Sequence, residues 1–359
     1  MKILTILGTR PELIRLSRLI QHLDSLCDHV LVHTGQNFDR RLRQIFHDDL
    51  GIRQPDHSLE VTGQHFGEQV GSILAATSRV MAAEAPDRLL ILGDTNSALS
   101  ALVAKRLGIR VYHMEAGNRC YDDRVPEELN RRVVDHASDV LLPYTERSRQ
   151  NLLREGIDGR RIYVTGNPIL EVIQYYGSRI DGSTALNELG LTPQSYFLVT
   201  MHRAENVDQP DRLRALCESL DALAERHRLP VIVSTHPRTR SKLADVQIGR
   251  ASEFIRFVEP FNFSDFVSLE KQARCVLSDS GTVQEECAIL GIPNVTIRDV
   301  TERPETIECG SNMLSGVTSS DVLRSVDVAL HLKGRWSAPP EYLVPHVSET
   351  VAKILLARE

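Results

Sequence analysis

Short apolar runs alternate along this chain with longer stretches in which apolar residues recur at three- and four-residue steps. The runs include "KILTIL" and "RLLIL" in the first half and "YFLVT" and "PVIVST" in the second. Residues 11–23 and 211–225 show the helical spacing. Buried strands that alternate with amphipathic helices are typical of βαβ units in parallel sheets. The pattern therefore predicts an α/β protein.

The strand series restarts near "YVTGNPILEVI", at residues 163–173. We therefore predict two doubly wound parallel-sheet domains, an N-terminal one of residues 1–168 and a C-terminal one of residues 169–344. Residues 345–359 form a last amphipathic stretch with no strand after it. On periodicity alone this helix could pack on either domain.

Composition limits the classes of function that this chain can have. With 359 residues, 42% hydrophobic, it is long enough for two buried cores. A net charge of -6 argues against binding to nucleic acid or to an anionic membrane surface. The six cysteines form no CxxC pair, which argues against a zinc site and against a disulfide framework. The opening run "MKILTIL" is too short for a secretory signal, so we expect a cytoplasmic protein.

Polar residues follow the apolar runs at the point where each predicted strand ends. The carboxyl ends of parallel strands are where open α/β sheets bind ligands, so these tails are expected to converge on one cleft. Seven tails have this position: "GTRPE", "GDTN", "EAGNR", "MHRAEN", "HPRTR", "SGTVQEE" and "RDVTERPE".

Two arginines and one glycine in these tails suit an anionic ligand. Arg10 and Arg303 would supply forked donors to a diphosphate, and Gly281 would let backbone N–H groups approach a phosphate at a helix start. Arg15 and Arg131 could equally be surface charges. The chain contains neither GxGxxG after its first strand nor GxxxxGK[ST], and its histidines and cysteines lack metal-ligand spacing. The sequence therefore favours chemistry by side chains, without a metal.

Three carboxylates at or just beyond strand ends, Asp94, Glu115 and Glu127, are candidates for proton transfer. Asp94 has an equally good interpretation as a helix cap. The spacings Thr9–Glu12 and Thr282–Glu285 match capping boxes, and we favour that structural interpretation for both glutamates. Three further acidic residues are interpreted as solvated or helix-start charges: Asp122, Asp123 and Glu128.

The ordered blocks "GTRPE", "GDT", "EAG" with "PEELNR", "HRAEN", "SDSGTVQEE" and "RDVTERPE" resemble the non-hydrolysing UDP-N-acetylglucosamine 2-epimerase family. The resemblance is collinear from about residue 3 to about residue 316. It implies a GT-B-like architecture, in which two Rossmann-like domains face each other across an active-site cleft and the C-terminal helix returns to the first. It also implies a homodimer without a cofactor that inverts C2 of a UDP-linked N-acetylhexosamine and binds UDP.

The resemblance assigns roles to residues of this chain by motif. Asp94, Glu115 and Glu127 match the acid–base carboxylates, and His202 matches a catalytic histidine near the diphosphate. Arg131 would reach the substrate or Glu127. The remaining matches are substrate-binding residues: Arg10 and Arg303 for phosphate, Arg15 where lysine is usual, Ser280, Gly281 and Thr282 for the phosphate turn, Glu286 for ribose, and Phe266 near uracil.

Several alternatives stay open at the level of sequence. "EAGNRCYDDRVPEELNRR" looks closer to branches acting on 6-deoxy sugars such as UDP-N-acetyl-L-fucosamine precursors, whereas "RDVTERPETIECGSN" looks like the GlcNAc/ManNAc branch. A hydrolysing epimerase, a GT-B glycosyltransferase and a nucleotide-sugar sensor are the other classes. Asn37 stands where members with an activating second site often have histidine, so we expect no allosteric activation by UDP-GlcNAc.

Overall fold

The computed structural model describes residues 1–35, 49–63, 65–245 and 252–358. Asn37, on which the expectation about allosteric activation rests, lies outside these residues. The chain divides into two compact units. The first unit comprises Met1–Gln174 together with Glu341–Glu359, and the second comprises Tyr175–Pro340.

The first unit is built on a parallel sheet that has six strands within the described residues. Its strands are β1 Lys2–Leu7, β2 Asp28–His33, β3 His57–Ser58, β4 Arg88–Leu92, β5 Arg110–Met114 and β6 Val140–Leu142. They lie in the order β3-β2-β1-β4-β5-β6, which reverses direction between β1 and β4. In such a sheet the reversal point is where ligand-binding loops gather.

The second unit repeats this design with strands from the second half of the chain. They are β7 Phe197–Thr200, β8 Val231–Ser234, β9 Ile255–Val258, β10 Cys275–Ser278, β11 Asn294–Thr296 and β12 Asn312–Leu314. The order among the described residues is β12-β11-β10-β7-β8-β9, again all parallel. The predicted class, α/β with two doubly wound parallel sheets, is confirmed.

In the first sheet, the central strand β4 is buried along its whole length and β1 is buried from Ile3 to Leu7, as expected for parallel strands covered by helices on both faces. Leu4 and Ile6 of β1 pack with Leu89 and Ile91 of β4 in the core on one face of the first sheet. The described helices are Arg10–Leu26, Phe66–Glu84, Ala101–Arg106, Pro126–Ala137, Glu146–Arg154, Ile169–Tyr175, Gly177–Asp181, Ala185–Glu188, Ala204–Val207, Pro210–His227, Pro237–Asp245, Phe263–Gln272, Gly281–Leu290, Pro304–Glu308, Ser319–His331 and Val347–Leu356. The same described residues include short 3₁₀ segments at Asn96–Ser100, Gly159–Arg161 and Pro340–Leu343.

The helix Val347–Leu356 belongs to the first unit and packs on the helix Arg10–Leu26. Glu171 accepts a hydrogen bond from Ser348 N (2.9 Å) at its start. Arg88 donates to the carbonyl oxygen of Ala357 (2.9 Å) just past its end. Both contacts satisfy backbone groups that a helix end leaves without an internal partner, so the last helix is fixed at both ends.

Candidate active site

Three of the predicted site residues of the first unit follow adjacent strands. Arg10 comes after β1, Asp94 after β4 and Glu115 after β5, and these strands are neighbours in the sheet. Glu127 is half-buried in the first turn of the helix Pro126–Ala137, which follows the Glu115 loop. The sheet order therefore brings the carboxyl-end loops of three candidate residues to one edge, as the sequence predicts.

Glu115 has an unusual backbone conformation. Its φ of 65° is left-handed, which is uncommon for a residue with a side chain and tends to occur at functional sites. The amide of Glu115 donates to the carbonyl oxygen of Leu142 (3.1 Å), which fixes the turn. Gly117 also has a left-handed φ of 81°, and a Cβ there would lie 2.3 Å from Ser148 O. The glycine of "EAG" is therefore required by close packing.

The side chains of Arg15 and Glu115 form a buried ion pair, with Nη1 of the arginine against Oε2 of the glutamate. Their exposed fractions are 4% and 7%. The Arg15 guanidinium also lies over the ring of Tyr144, 5.9 Å from its centroid. The surface-charge interpretation of Arg15 is therefore wrong, because the side chain is buried and paired with Glu115.

Asp94 is held by a second buried arginine. Arg131 donates from Nε (3.0 Å) and Nη2 (2.6 Å) to Oδ2 of Asp94. The short 3₁₀ segment after β4 begins at Asn96 with Thr95 as its N-cap, so the cap interpretation of Asp94 is wrong. Arg131 is 3% exposed, and the surface-charge interpretation fails for it as well. Two of the three candidate carboxylates thus have a buried arginine partner.

Glu128 lies in the first turn of the helix Pro126–Ala137, as the helix-start interpretation predicts, but it is fully buried, so its interpretation as a solvated charge is wrong. One residue after Glu127, it points about 100° further around the helix, which turns it into the protein. Its carboxylate accepts from Arg131 Nη1 (2.9 Å), from Arg132 Nη2 (2.9 Å) and from backbone amides. Asp123, in contrast, is exposed as expected.

A buried network around Asp135 connects the loops that carry these residues, and the sequence analysis missed it. Asp135 accepts from His113 Nδ1 (2.9 Å), Gly117 N (3.1 Å) and Arg119 Nη1 (2.8 Å). His113 Nε2 lies 2.8 Å from the carbonyl oxygen of Gly93, the residue before Asp94. Burial alone raises the pKa of Asp135, but the hydrogen bond from His113 and the charges of His113 and Arg119 outweigh it, and the pKa lies below 3.8.

The capping box of the first helix is confirmed. Glu12 accepts from Thr9 N (2.6 Å) and Thr9 Oγ1 (2.7 Å), which satisfies an amide at the start of the helix. Glu12 also accepts from Thr95 Oγ1 (3.0 Å) in the Asp94 loop. Burial raises the pKa of Glu12 to about 7, against the lowering effect of these donors. Arg10, half-buried, is the first residue of the same helix, so Glu12 fixes the loop that carries it.

In the second unit, the predicted residues again follow adjacent strands. His202 comes after β7, Ser280 after β10 and Arg303 in the loop after β11. Asp279, fully buried, accepts from the backbone amides of His202 (3.0 Å) and Arg203 (3.0 Å). Its Oδ1 is also 3.5 Å from His202 Nδ1. Asp279 therefore orients the histidine, although the sequence analysis gave it no role within "SDSGT".

The helix Gly281–Leu290 begins beside Arg303. Ser280 is its N-cap and Thr282 lies in its first turn, so the capping-box interpretation of Thr282 and Glu285 is wrong. Glu285 instead pairs with Nε of Arg303, and both side chains are buried. A Cβ on Gly281 would lie 3.6 Å from Cζ of Arg303. The N-terminus of this helix and the guanidinium of Arg303 thus lie next to each other, which suits a phosphate.

Phe266 and Glu286 are both buried in the second unit. Phe266 is 7% exposed and packs in the core with Tyr196 and Leu198, and Glu286 is 3% exposed. Burial, followed by the charge of Glu286, raises the pKa of the fully buried Glu270 well above its ordinary value. The roles of Phe266 at uracil and of Glu286 at ribose stay predictions.

A further buried ion cluster of the second unit was missed by the sequence analysis. Arg298 is 1% exposed and donates to both carboxylate oxygens of Glu302 (2.8 and 3.1 Å). Its Nη2 also lies 2.8 Å from Oε1 of Glu205 in the segment "HRAEN". The cluster joins the loop after β7 to the loop after β11, the two loops that carry His202 and Arg303.

Each unit therefore presents a distinct kind of chemistry. The first gathers carboxylates held by buried arginines, which suits proton transfer. The second pairs a helix N-terminus with arginine and histidine, which suits an anion. Among the described residues, no His, Cys, Asp and Glu side chains are grouped so that three or more could hold a metal ion.

Comparison with known proteins gives the family of the chain. A family model described as UDP-N-acetylglucosamine 2-epimerase matches residues 21–356. The chain belongs to the UDP-N-acetylglucosamine 2-epimerase family. It is 39% identical over 347 residues to the UDP-N-acetylglucosamine 2-epimerase of Methanocaldococcus jannaschii, which covers 94% of this chain and 95% of the relative. The resemblance found in the sequence is thus confirmed at the level of the family.

Two further comparisons bear on the ligand of this epimerase-family chain. A crystal structure of the Methanocaldococcus jannaschii UDP-GlcNAc 2-epimerase in complex with UDP-GlcNAc and UDP is 38% identical, with a TM-score of 0.94 and 99% of each chain covered. The UDP-2,3-diacetamido-2,3-dideoxy-D-glucuronate 2-epimerase of Pseudomonas aeruginosa is 36% identical and covers 92% of each chain. No helix in the part of this family member that the structure describes is long and apolar enough to cross a membrane.

Proposed function

We propose that the protein is a cofactor-independent 2-epimerase that interconverts UDP-GlcNAc and UDP-ManNAc. The observation that carries this proposal is the set of carboxylates at adjacent strand ends, in which Asp94 and Glu115 each have a buried arginine partner. Two relatives named as UDP-N-acetylglucosamine 2-epimerases, 39% and 36% identical over 94% of the chain, support it.

We assign UDP to the second unit. Ser280, Gly281 and Thr282 at the start of a helix, together with Arg303, would bind the diphosphate. Glu286 would accept hydrogen bonds from the ribose, and Phe266 would pack near uracil. The short distance between Gly281 and the Arg303 guanidinium supports the phosphate assignment, because both donors would reach the same anion.

We assign the chemistry at the sugar to the first unit. The C2 hydrogen of the hexose has no adjacent ring carbonyl, so simple deprotonation would give a poorly stabilised carbanion. Instead, one carboxylate takes the C2 proton while the bond between C1 and the UDP oxygen breaks, and the electron pair of the C–H bond forms the C1–C2 double bond of a 2-acetamidoglucal. UDP then re-adds at C1 while a protonated acid delivers a proton to the opposite face of C2. Asp94, Glu115 and Glu127 are the candidates for these two acid–base groups.

The departing UDP carries negative charge, and its stabilisation would be the largest contribution to catalysis. Arg10, Arg303 and the helix start at Gly281 would supply fixed positive charge. His202 would act near the diphosphate, oriented by the buried Asp279 that binds its amide and lies 3.5 Å from its Nδ1.

The identity of the hexose is a more detailed part of the proposal. A relative of 36% identity is named for a diacetamido glucuronate, so family membership alone does not fix the substituents of the hexose. The second candidate substrates are UDP-N-acetylhexosamines of the 6-deoxy L series, because the segment "EAGNRCYDDRVPEELNRR" resembles the branches that act on such sugars. Assembly into a homodimer and a cytoplasmic location stay predictions.

Product analysis with purified protein and UDP-GlcNAc, without added cofactor, tests the proposal. UDP-ManNAc is the expected product, and UDP-GlcNAc labelled with ¹⁸O in the bridge between C1 and phosphorus should scramble the label into the non-bridging β-phosphate positions. Free ManNAc with UDP would assign a hydrolysing epimerase instead. Retention of the label in the bridge during turnover would refute elimination of UDP.

A further inference from the structure

Glu128 is a fully buried carboxylate with an unusually complete set of donors. It accepts from the amides of Cys120 (3.1 Å) and Tyr121 (3.1 Å), from Arg131 Nη1 (2.9 Å) and from Arg132 Nη2 (2.9 Å). Such a group is expensive to remove from water, and it is tolerated only when its oxygens are satisfied. Burial raises the pKa of Glu128, but the amide of Cys120, the charge of Arg131 and the other donors reverse this, and the net pKa is lowered.

Arg131 connects Glu128 to the candidate proton-transfer residue Asp94. Its Nη1 donates to Glu128, while its Nε and Nη2 donate to Oδ2 of Asp94 (3.0 and 2.6 Å). The guanidinium is planar, so fixing one nitrogen on Glu128 also fixes the direction of the other two. Asn130 adds a bond from Nδ2 to the carbonyl oxygen of Asp94 (3.0 Å). Glu128 therefore fixes the orientation in which the Arg131 guanidinium faces Asp94.

We propose that Glu128 is a positioning residue for the epimerase reaction, which holds Arg131 in the orientation that faces Asp94. The inference rests on the proposed function. Glu128 touches neither substrate nor reacting atoms in this role and acts only through Arg131. Its bonds to Cys120 and Tyr121 also fix the loop that precedes Glu127, so one carboxylate sets the surroundings of two candidate catalytic groups.

Steady-state kinetics of Glu128→Gln provide the first test. The amide side chain keeps the size but presents an N–H₂ group to donors and loses the charge that orients Arg131. Because hydrogen bonds to a charged group are stronger than those to a neutral amide, we expect kcat for UDP-GlcNAc to fall about tenfold or more, with KM changed by less than about threefold. Arg132→Gln is the matched control. It removes a partly exposed donor from the same carboxylate and should leave kcat within about twofold of the wild type.

A double-mutant cycle tests whether Glu128 acts through Arg131. If it does, Glu128→Gln should cause no further loss of kcat in an Arg131→Gln background, because the side chain that it orients is gone. Multiplying losses would overturn the inference, and so would wild-type kcat in Glu128→Gln. Should Glu128→Gln not fold, Glu128→Asp keeps the charge but shortens the reach. There we expect at least about a threefold loss of kcat at unchanged KM, and wild-type kcat would overturn the proposal.

The wild-type assay in the same series separates the two proposals. Absence of UDP-ManNAc formation by the wild type would refute the proposed function and this inference with it. Normal wild-type turnover together with unchanged kcat in the Glu128 variants would refute the positioning role alone.

Discussion

Asp135→Asn should weaken the first unit more than its conservative shape suggests. The carboxylate of Asp135 is fully buried and accepts from His113, from the amide of Gly117 and from Arg119. An asparagine keeps one acceptor oxygen but turns an N–H₂ group towards donors. It also removes a charge that compensates Arg119, whose guanidinium is itself buried.

The contacts that remain set the size of the effect. Removing one partner of a buried ion pair costs about 3–5 kcal/mol. Arg119 keeps a second partner, since its Nε and Nη2 donate to the two oxygens of Glu155 (2.7 and 2.6 Å). We therefore expect the lower end of that range, a loss of about 3 kcal/mol, which is about two powers of ten in an opening equilibrium.

Hydrogen exchange followed by mass spectrometry can measure this loss in peptides that cover β5. We expect slowly exchanging amides of residues 111–114 to lose about two powers of ten in protection in Asp135→Asn. Asp139→Asn is the matched control. That carboxylate also bonds β5, through the amide of Val111 (2.9 Å), but its cation Lys105 is 43% exposed, so a loss under about 1 kcal/mol is expected. Equal protection in wild type and Asp135→Asn would refute the reasoning.

The contribution of Asp135 to the stability of the folded protein should also depend on pH, and the direction of this dependence can be predicted. Its pKa in the folded protein is lower than 3.8, because the donors outweigh burial. A carboxylate with a lowered folded pKa stabilises the protein above its unfolded pKa, and this contribution is lost as pH falls through the folded value. The difference in stability between wild type and Asp135→Asn should therefore be constant from neutral pH down to a pH of about 3.8. Below that pH the difference should become smaller. A difference that widens in acid would contradict this assignment.

The other predictions concern the candidate site. Glu115→Gln should abolish turnover while leaving the Kd for UDP nearly unchanged, as calorimetry can check, and wild-type rates would remove Glu115 from the chemistry. Gly281→Ala should raise the Kd for UDP about tenfold, because its Cβ would fill space 3.6 Å from the Arg303 guanidinium, whereas Gly71→Ala, with nothing within 4 Å, should not. Asp279→Asn should lower kcat about tenfold, since it disturbs the amide and ring contacts of His202, and an unchanged kcat would show that these contacts do not serve catalysis.

Local sequence patterns predicted the sheets and the strand-end loops well. Apolar runs, glycine and proline mark element boundaries over a few residues, so β1, β4, β5, β7, β8, β10 and β11 were all anticipated. The strands β3, β9 and β12 were not. They are short or only half-buried and lie at or near a sheet edge, where a strand leaves a weaker apolar signal.

The partners of the charged residues were much harder to predict. Arg131 meets Asp94 across 37 residues, and Arg15 meets Glu115 across 100. Such pairs depend on how helices pack on the sheet, which periodicity does not specify. The burial of Glu128 was missed for a related reason, because a single residue step along a helix decides between water and the protein interior. Asp279 could have been found, since it directly precedes the predicted phosphate turn.

Incubation of the protein with UDP-GlcNAc in D₂O, followed by proton NMR, tests the central claim most directly. The account predicts that UDP-ManNAc appears without added cofactor and that both nucleotide sugars acquire deuterium at C2, because the proton removed there exchanges with solvent before its return. Epimerisation that retains the original C2 hydrogen would contradict proton transfer by the carboxylates of the first unit. Release of free ManNAc and UDP, with no UDP-ManNAc, would contradict the non-hydrolysing reaction.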